Sequence, residues 1–252
     1  MVPDPRRGDA LRRSLPTLTQ DAFINTPLAE RRYQEGPGLV KIVRTGPQPF
    51  LIERLLADIA EEDYGLRPCG RPMVLHPDSD TALEVALWLY ERGMLPLAGE
   101  PFNIPSSVQF AVQYGVDGLI VETSLADSFL AELSRHYAVG RIRQTVLLGI
   151  SSPSAVGISE SRFAVPPVRV LYLPETGPFA ESCPEALLHS QTVFHPDANS
   201  VVDIADRVML TKTILLPTPI IRYDTGIAAA RISSVCACGK PSFILGTPSR
   251  PT

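Results

Sequence analysis

Apolar residues recur along this chain in short blocks of two different periods, and the alternation of those blocks is the first clue to its architecture. Leu39-Val40-Lys41-Ile42-Val43, Met73-Val74-Leu75, Leu119-Ile120-Val121, Arg143 to Leu148 and Val168 to Leu173 are short runs rich in apolar and β-branched residues, as strands require. Between them lie segments whose apolar positions fall three and four apart. Ile52, Leu55, Leu56 and Ile59 predict a helix from about 51 to 64, and Leu83, Val85, Ala86, Leu89 and Tyr90 predict one over Thr81–Arg92. Ser79 or Asp80 caps the latter and Gly93 closes it. Two further helices are expected at Ser106–Tyr114, ended by Gly115, and at Ser124–His136. Strands alternating with amphipathic helices predict an α/β fold on a mainly parallel sheet flanked by helices. The pattern divides the chain into a surface-wrapping extension (1–38), an α/β core (39–170) and a β-rich segment (171–252). In the last, Ile220 to Gly226 reads as a strand running into a Thr-Gly turn.

Composition narrows the function classes. With 252 residues, 44% of them hydrophobic and 20% charged, the chain can bury one large core or two modest lobes. A net charge of -4 gives no general attraction to nucleic acid or to an anionic membrane, and the run Arg6, Arg7, Arg12 and Arg13 reads as a solvated tail. No apolar segment approaches the roughly 20 residues that span a bilayer, and the proline- and arginine-rich start has no secretory core, so a cytoplasmic protein is expected. In a reducing compartment the four cysteines favour a metal or free thiols over disulfides.

Two clusters carry candidate chemistry. Cys236-Ala237-Cys238-Gly239 is half of a metal clip: both thiolates can face one cation while the glycine lets the backbone turn beside it. Cys69 with His76 is a candidate acyl-accepting nucleophile and base, with Asp78 or Asp80 available to orient the imidazole.

The stretch Ile220-Ile221-Arg222-Tyr223-Asp224-Thr225-Gly226, followed by Cys236-Ala237-Cys238-Gly239-Lys240, resembles the "IRYRTGD" and "CPCGR" motifs of the phenylacetate-CoA ligase branch of the adenylate-forming enzymes. Leu171-Tyr172-Leu173-Pro174-Glu175-Thr176-Gly177-Pro178-Phe179-Ala180 resembles their "YGxTExGPxA", and Tyr114-Gly115-Val116-Asp117 an "eygvd" helix end. The resemblance implies the core of the large N-terminal domain of that superfamily, with a smaller β-rich, zinc-containing part. It implies a structural zinc held by Cys183, His195, Cys236 and Cys238, with His189 as the alternative imidazole. It also maps nucleotide-site positions onto Thr45, Gly46, Tyr172, Glu175, Asp224 and Thr225, where Glu175 stands at the magnesium-holding glutamate.

The same comparison exposes departures. The Ser/Thr/Gly-rich phosphate loop is reduced to Thr45-Gly46-Pro47-Gln48-Pro49, in which two prolines remove amide donors and the lysine is absent. Ile227 stands where the family has a ribose-binding aspartate. The hinge motif is replaced by Ile244-Leu245-Gly246-Thr247, and the sequence stops at Thr252 without the small C-terminal lobe. The expectation is a degenerate relative with zinc but without ATP and magnesium. It would bind an acyl or aryl group, or dock a carrier protein, a partner enzyme or a second copy of itself. Two alternatives accompany it: an ATP-independent acyl or aminoacyl transferase fed by a carrier-bound thioester through Cys69 and His76, and half of a split aryl-CoA ligase.

Overall fold

The computed structural model of the chain describes residues 30–32, 43–45, 70–91, 93–136, 141–149, 166–173, 176–183, 192–213, 220–232 and 236–246. Strands β1 (Glu30–Arg32) and β2 (Val43–Thr45) pair antiparallel as a separate ribbon. Of the strand expected over 39–43 only Val43 falls within the described residues, and the helix expected over 51–64 lies outside them.

The next five strands are parallel: β3 (Pro72–Leu75), β4 (Leu97–Ala98), β5 (Gly118–Glu122), β6 (Gln144–Leu148) and β7 (Val168–Leu173), in the spatial order β7-β6-β5-β3-β4. Every residue of β3, β6 and β7 is buried, because a parallel sheet is covered on both faces; its strands are accordingly mostly apolar, with Gln144, Thr145 and Arg169 the polar members of these three. On one face Val74, Ile120, Val146 and Val170 pack under α1 (Ser79–Glu91) through Val85 and Leu89. On the other, Met73, Leu75, Leu119, Val121 and Leu147 pack under α2 (Ile104–Tyr114) and α3 (Thr123–His136). Burying one side chain such as Leu89 or Phe129, both fully enclosed, stabilises the fold by roughly 1.5–3 kcal/mol relative to leaving it in water.

Helix ends follow local chemistry. Asp78, rather than Ser79 or Asp80, caps α1: its Oδ2 accepts from the Thr81 backbone N–H at 3.2 Å and from the Thr81 hydroxyl at 2.5 Å. Asn103 caps α2 through the Ser106 N–H, starting that helix two residues earlier than its apolar spacing predicts, with Pro105 in the first turn. Gly115 then ends α2 in the left-handed conformation, at φ 65°.

Beyond β7 the sheet changes sense. Residues 174–176 are too few for a crossover, so β8 (Gly177–Ser182) returns antiparallel along β7. The strands β9 (Val193–Pro196), β10 (Ser200–Ile204), β11 (Arg207–Lys212), β12 (Tyr223–Arg231) and β13 (Phe243–Leu245) continue the sheet in the order β8-β9-β13-β12-β11-β10, all antiparallel. The expected mainly parallel sheet is therefore one 11-stranded mixed sheet.

The expected Thr225-Gly226 turn is also corrected, because β12 runs straight through it. Three residues, Thr225 to Ile227, stand opposite Val208 alone, between the pairs Arg207 with Ala228 and Met209 with Asp224. Gly226 takes φ 70° in this bulge, and the Thr225 hydroxyl donates to the Val208 carbonyl at 2.9 Å.

A buried cation ties the antiparallel half together. Lys212 on β11 is 6% exposed, and its ammonium donates to the Pro178 carbonyl, to Ser200 Oγ at 2.7 Å and to Asp197 Oδ2 at 3.4 Å. Burial holds the Lys212 ammonium down to about 8, against the pull of Asp197, and pushes the Asp197 carboxyl above its usual range. Removing one partner strands the other charge. Lys212→Met is expected to cost about 3–5 kcal/mol in urea unfolding, whereas Lys212→Met with Asp197→Leu recovers most of that loss. A single variant within about 0.5 kcal/mol of the wild type would show that the pair does not hold these strands.

Candidate metal centre and the rim of the parallel strands

β8, β9 and β13 lie side by side, and alternation divides their residues between two faces. Phe194 and Phe243, which pair across β9 and β13, point to one face, where their rings stack with centroids 5.9 Å apart inside the apolar layer. His195, the next residue on β9, therefore points to the opposite face and pairs with Glu181 of β8. Cys183, just beyond β8, has its N–H bonded to the Val193 carbonyl at 2.8 Å. The connection from β12 to β13 folds over the same place through a tight turn in which the Gly239 N–H reaches the Cys236 carbonyl at 2.8 Å and Gly239 takes φ 80°.

These three pieces of backbone bring Cys183, His195, Cys236 and Cys238 together, with their four ligand atoms within 4.8 Å of one another. Cys236 Sγ stands 3.6 Å from Cys183 Sγ, and Cys238 Sγ stands 3.1 Å from His195 Nε2. Sulfur and nitrogen donors about 2.0–2.3 Å from one tetrahedral ion lie about 3.5–3.8 Å apart, so sub-ångström to ångström shifts would close the set around a cation.

Two further features suit a metal. The Pro241 carbonyl lies 2.8 Å from His195 Nδ1 and can only accept, so the proton sits on Nδ1 and the Nε2 lone pair faces the thiols. The backbone N–H of Cys238, directed at the Cys236 sulfur, is the main cause that holds that thiol below its usual value, and the Cys183 thiol adds to it. Cys183 and His195 are buried, while Cys236 and Cys238 are half-buried. A closed set of three sulfurs and one imidazole has the composition of a structural site with no position left for a substrate.

A second group lines the carboxyl ends of the parallel strands, where the strand order reverses between β3 and β5 and where open α/β sheets receive ligands. His76 follows β3, is 5% exposed, and meets the Asp78 backbone through Nδ1, at 3.1 Å from its N–H and 3.2 Å from its carbonyl. Burial lowers its affinity for a proton, with the Asp78 backbone and the Asp78 and Glu122 charges opposing. The neutral ring thus prevails near pH 7. Because the unfolded ring protonates first as pH falls below about 6.5, this residue's contribution to stability is complete above that value and declines below it.

Tyr172 stands edge-on to His76 at 5.9 Å, its hydroxyl 3.4 Å from Thr81 Oγ1. Glu122 closes β5, and its Oε2 accepts from the Ser124 N–H at 2.8 Å, at the start of α3. Gly149 follows β6 with φ 120°, and a Cβ there would lie 3.0 Å from Glu122 Oε1.

The remaining expected site residues are dispersed. Asp224 accepts from the Gly226 N–H at 2.9 Å and pairs with Arg207 at 3.6 Å, and the Thr225 hydroxyl serves the bulge. Thr45 ends β2. Gly46, Cys69, Glu175 and His189 lie outside the described residues. Sequence reasoning missed Glu122 and Gly149, although an acid immediately before a helix start at the end of an apolar strand is a legible sign of a strand rim.

No family model matches the sequence, and no curated protein matches it. Solved structures do. A 2-hydroxyisobutyryl-CoA ligase in the postadenylation state, in complex with 2-HIB-AMP, superposes with a TM-score of 0.65 at 13% identity, over 92% of this chain and 56% of that one. VinN gives 0.57 at 14% identity, over 87% and 60%. The amide bond synthetase McbA from Marinactinospora thermotolerans gives 0.56 at 15% identity, over 82% and 46%. The chain thus shares the fold of these solved structures over the matched part and spans roughly half their length. Among the described residues no helix is long and apolar enough to cross a membrane.

Thiol chemistry tests the arrangement of the cluster. In metal-free protein at neutral pH, mass spectrometry after brief iodoacetamide treatment should find Cys236 alkylated before the enclosed Cys183. Equal or reversed labelling would contradict the described burial and charge.

Proposed function

We propose that this chain is a member of the phenylacetate-CoA ligase-like branch whose scaffold is pinned by a structural zinc on Cys183, His195, Cys236 and Cys238. On this reading it binds an acyl or aryl group, free or carried as a thioester on a partner protein, without forming an acyl adenylate. The observation that supports it most is Ile227. The resembling motif has at this position a carboxylate that accepts hydrogen bonds from ribose hydroxyls, whereas Ile227 is 8% exposed and belongs to the apolar layer with Val208, Leu210 and Tyr223. An alkyl group accepts no hydrogen bond. Thr45, Gly46, Tyr172, Glu175, Asp224 and Thr225 are then vestiges of a nucleotide site, and the rim near His76 and Glu122 is where the acyl group lodges. A thiol-based metal site of this kind fits a reducing, cytoplasmic setting.

Elemental analysis of purified protein is expected to find about one zinc per chain, released as pH falls because protons compete for the thiolates. Calorimetry with ATP and magnesium is expected to show no binding. Tight ATP binding, or pyrophosphate release with an aryl acid, would overturn the account.

A second reading, acyl transfer through Cys69, is favoured by the state of His76. Burial keeps the His76 ring neutral near pH 7, the form that can take up a proton as a base. Transfer from a thioester should then be lost in Cys69→Ala and retain a basic limb below pH 6.5 in the wild type. Full activity of Cys69→Ala would remove the covalent route.

A further inference from the structure

Ser242 is a buried donor with nothing to donate to. Its Oγ is sealed from solvent and meets no hydrogen-bonding partner. An orphaned hydroxyl in a folded protein calls for an explanation, because its hydration is lost without a replacement bond.

Its place in the sheet supplies one. Phe243 pairs with Phe194 and Ile244 with Val193, so the same register extended by one residue sets Ser242 opposite His195. Directly opposed residues of an antiparallel pair leave the same face of the sheet with Cβ atoms about 4.5–5.5 Å apart. The 2.8 Å contact from His195 Nδ1 to the carbonyl of Pro241, the residue before Ser242, confirms that the two segments run this close. The stacked Phe194 and Phe243 rings occupy the opposite face. Ser242 therefore shares a face with His195 and, through the rung to Glu181 and on to Cys183 two residues further, with the thiol cluster. The carboxylate on that face, Glu181, is directed at Lys240, 3.8 Å away.

We infer that Ser242 is a positioning residue for the metal-loaded cluster, its hydroxyl donating a hydrogen bond to a metal-bound thiolate. Neutral thiols are weak acceptors, and the cluster sulfurs contact one another and the imidazole. Binding a divalent cation displaces the thiol protons to solvent and leaves anionic sulfurs, which accept well. The hydroxyl then gains the partner it lacks, and part of the negative charge of three thiolates is offset. Outer hydrogen bonds of this type orient ligands and tune the ion they hold.

This inference rests on the metal reading above, and the two fail in different ways. Zinc affinity is measured by competition with a chromophoric chelator for the wild type, Ser242→Ala, Ser242→Thr and Ser242→Val. The last two differ only in a hydroxyl against a methyl. The alanine and valine variants should bind zinc about 10–100-fold more weakly, and threonine should restore affinity to within a few-fold of serine. Without metal the alanine variant should melt no lower than the wild type, because it loses an unsatisfied group. With cobalt in place of zinc, its sulfur-to-metal charge-transfer band should move to lower energy, a shift that a purely structural role would not produce. Equal zinc affinity for the threonine and valine variants, or an unmoved cobalt band, would overturn the role of Ser242. A wild-type chain that binds no zinc would remove the metal site itself.

Discussion

The antiparallel half of this molecule depends on one convergence, in which the end of β8, the middle of β9 and the turn before β13 meet so that three sulfurs and an imidazole nitrogen share one small volume. Cys183 and Cys236 are 53 residues apart in the chain, and His195 and Cys238 are 43 apart. Each contact closes a long loop, and a cross-link at such a point removes conformational freedom from the unfolded chain. The strands that converge are short, four residues in β9 and three in β13, and pairs of that length are marginal unless packing or a ligand supports them. Phe194 and Phe243 supply the packing on one face, and a metal held by the cluster would supply a cross-link on the other.

A buried ion network plays a matching part elsewhere in the antiparallel half, joining β11 to β10 and β8. Lys212 joins β11 to Ser200, Asp197 and the Pro178 carbonyl without reaching water. Charges enclosed in this way favour one arrangement of strands over close alternatives only while every partner is present. The parallel half is held differently. Its strands are apolar at most positions and covered by helices on both faces, so hydrophobic burial supplies most of what holds them.

That division explains what could be read from the sequence. Val74, Ile120 and Val146 sit in runs whose apolar period, flanked by helical spacing, announces buried strands, and the four metal-cluster residues follow from motif resemblance. The change to antiparallel pairing was hidden, because the segment around Pro174 reads equally as a motif and as a tight return, and strand sense is a property of the partner strand. Thr225-Gly226 was misread for the same reason. A glycine in an apolar run marks a turn or a bulge, and only the facing residue Val208 decides between them. Asp78, Ser79 and Asp80 are three adjacent capping candidates, and the choice among them depends on which side chain reaches Thr81. Ser242 could not be singled out at all, since its meaning comes from a register that pairs it with His195.

The most direct test of this account is X-ray absorption at the zinc edge on protein purified without added metal. The account predicts a first shell of three sulfurs at about 2.3 Å and one nitrogen at about 2.0 Å. A shell of oxygen and nitrogen alone, or no bound zinc, would contradict it.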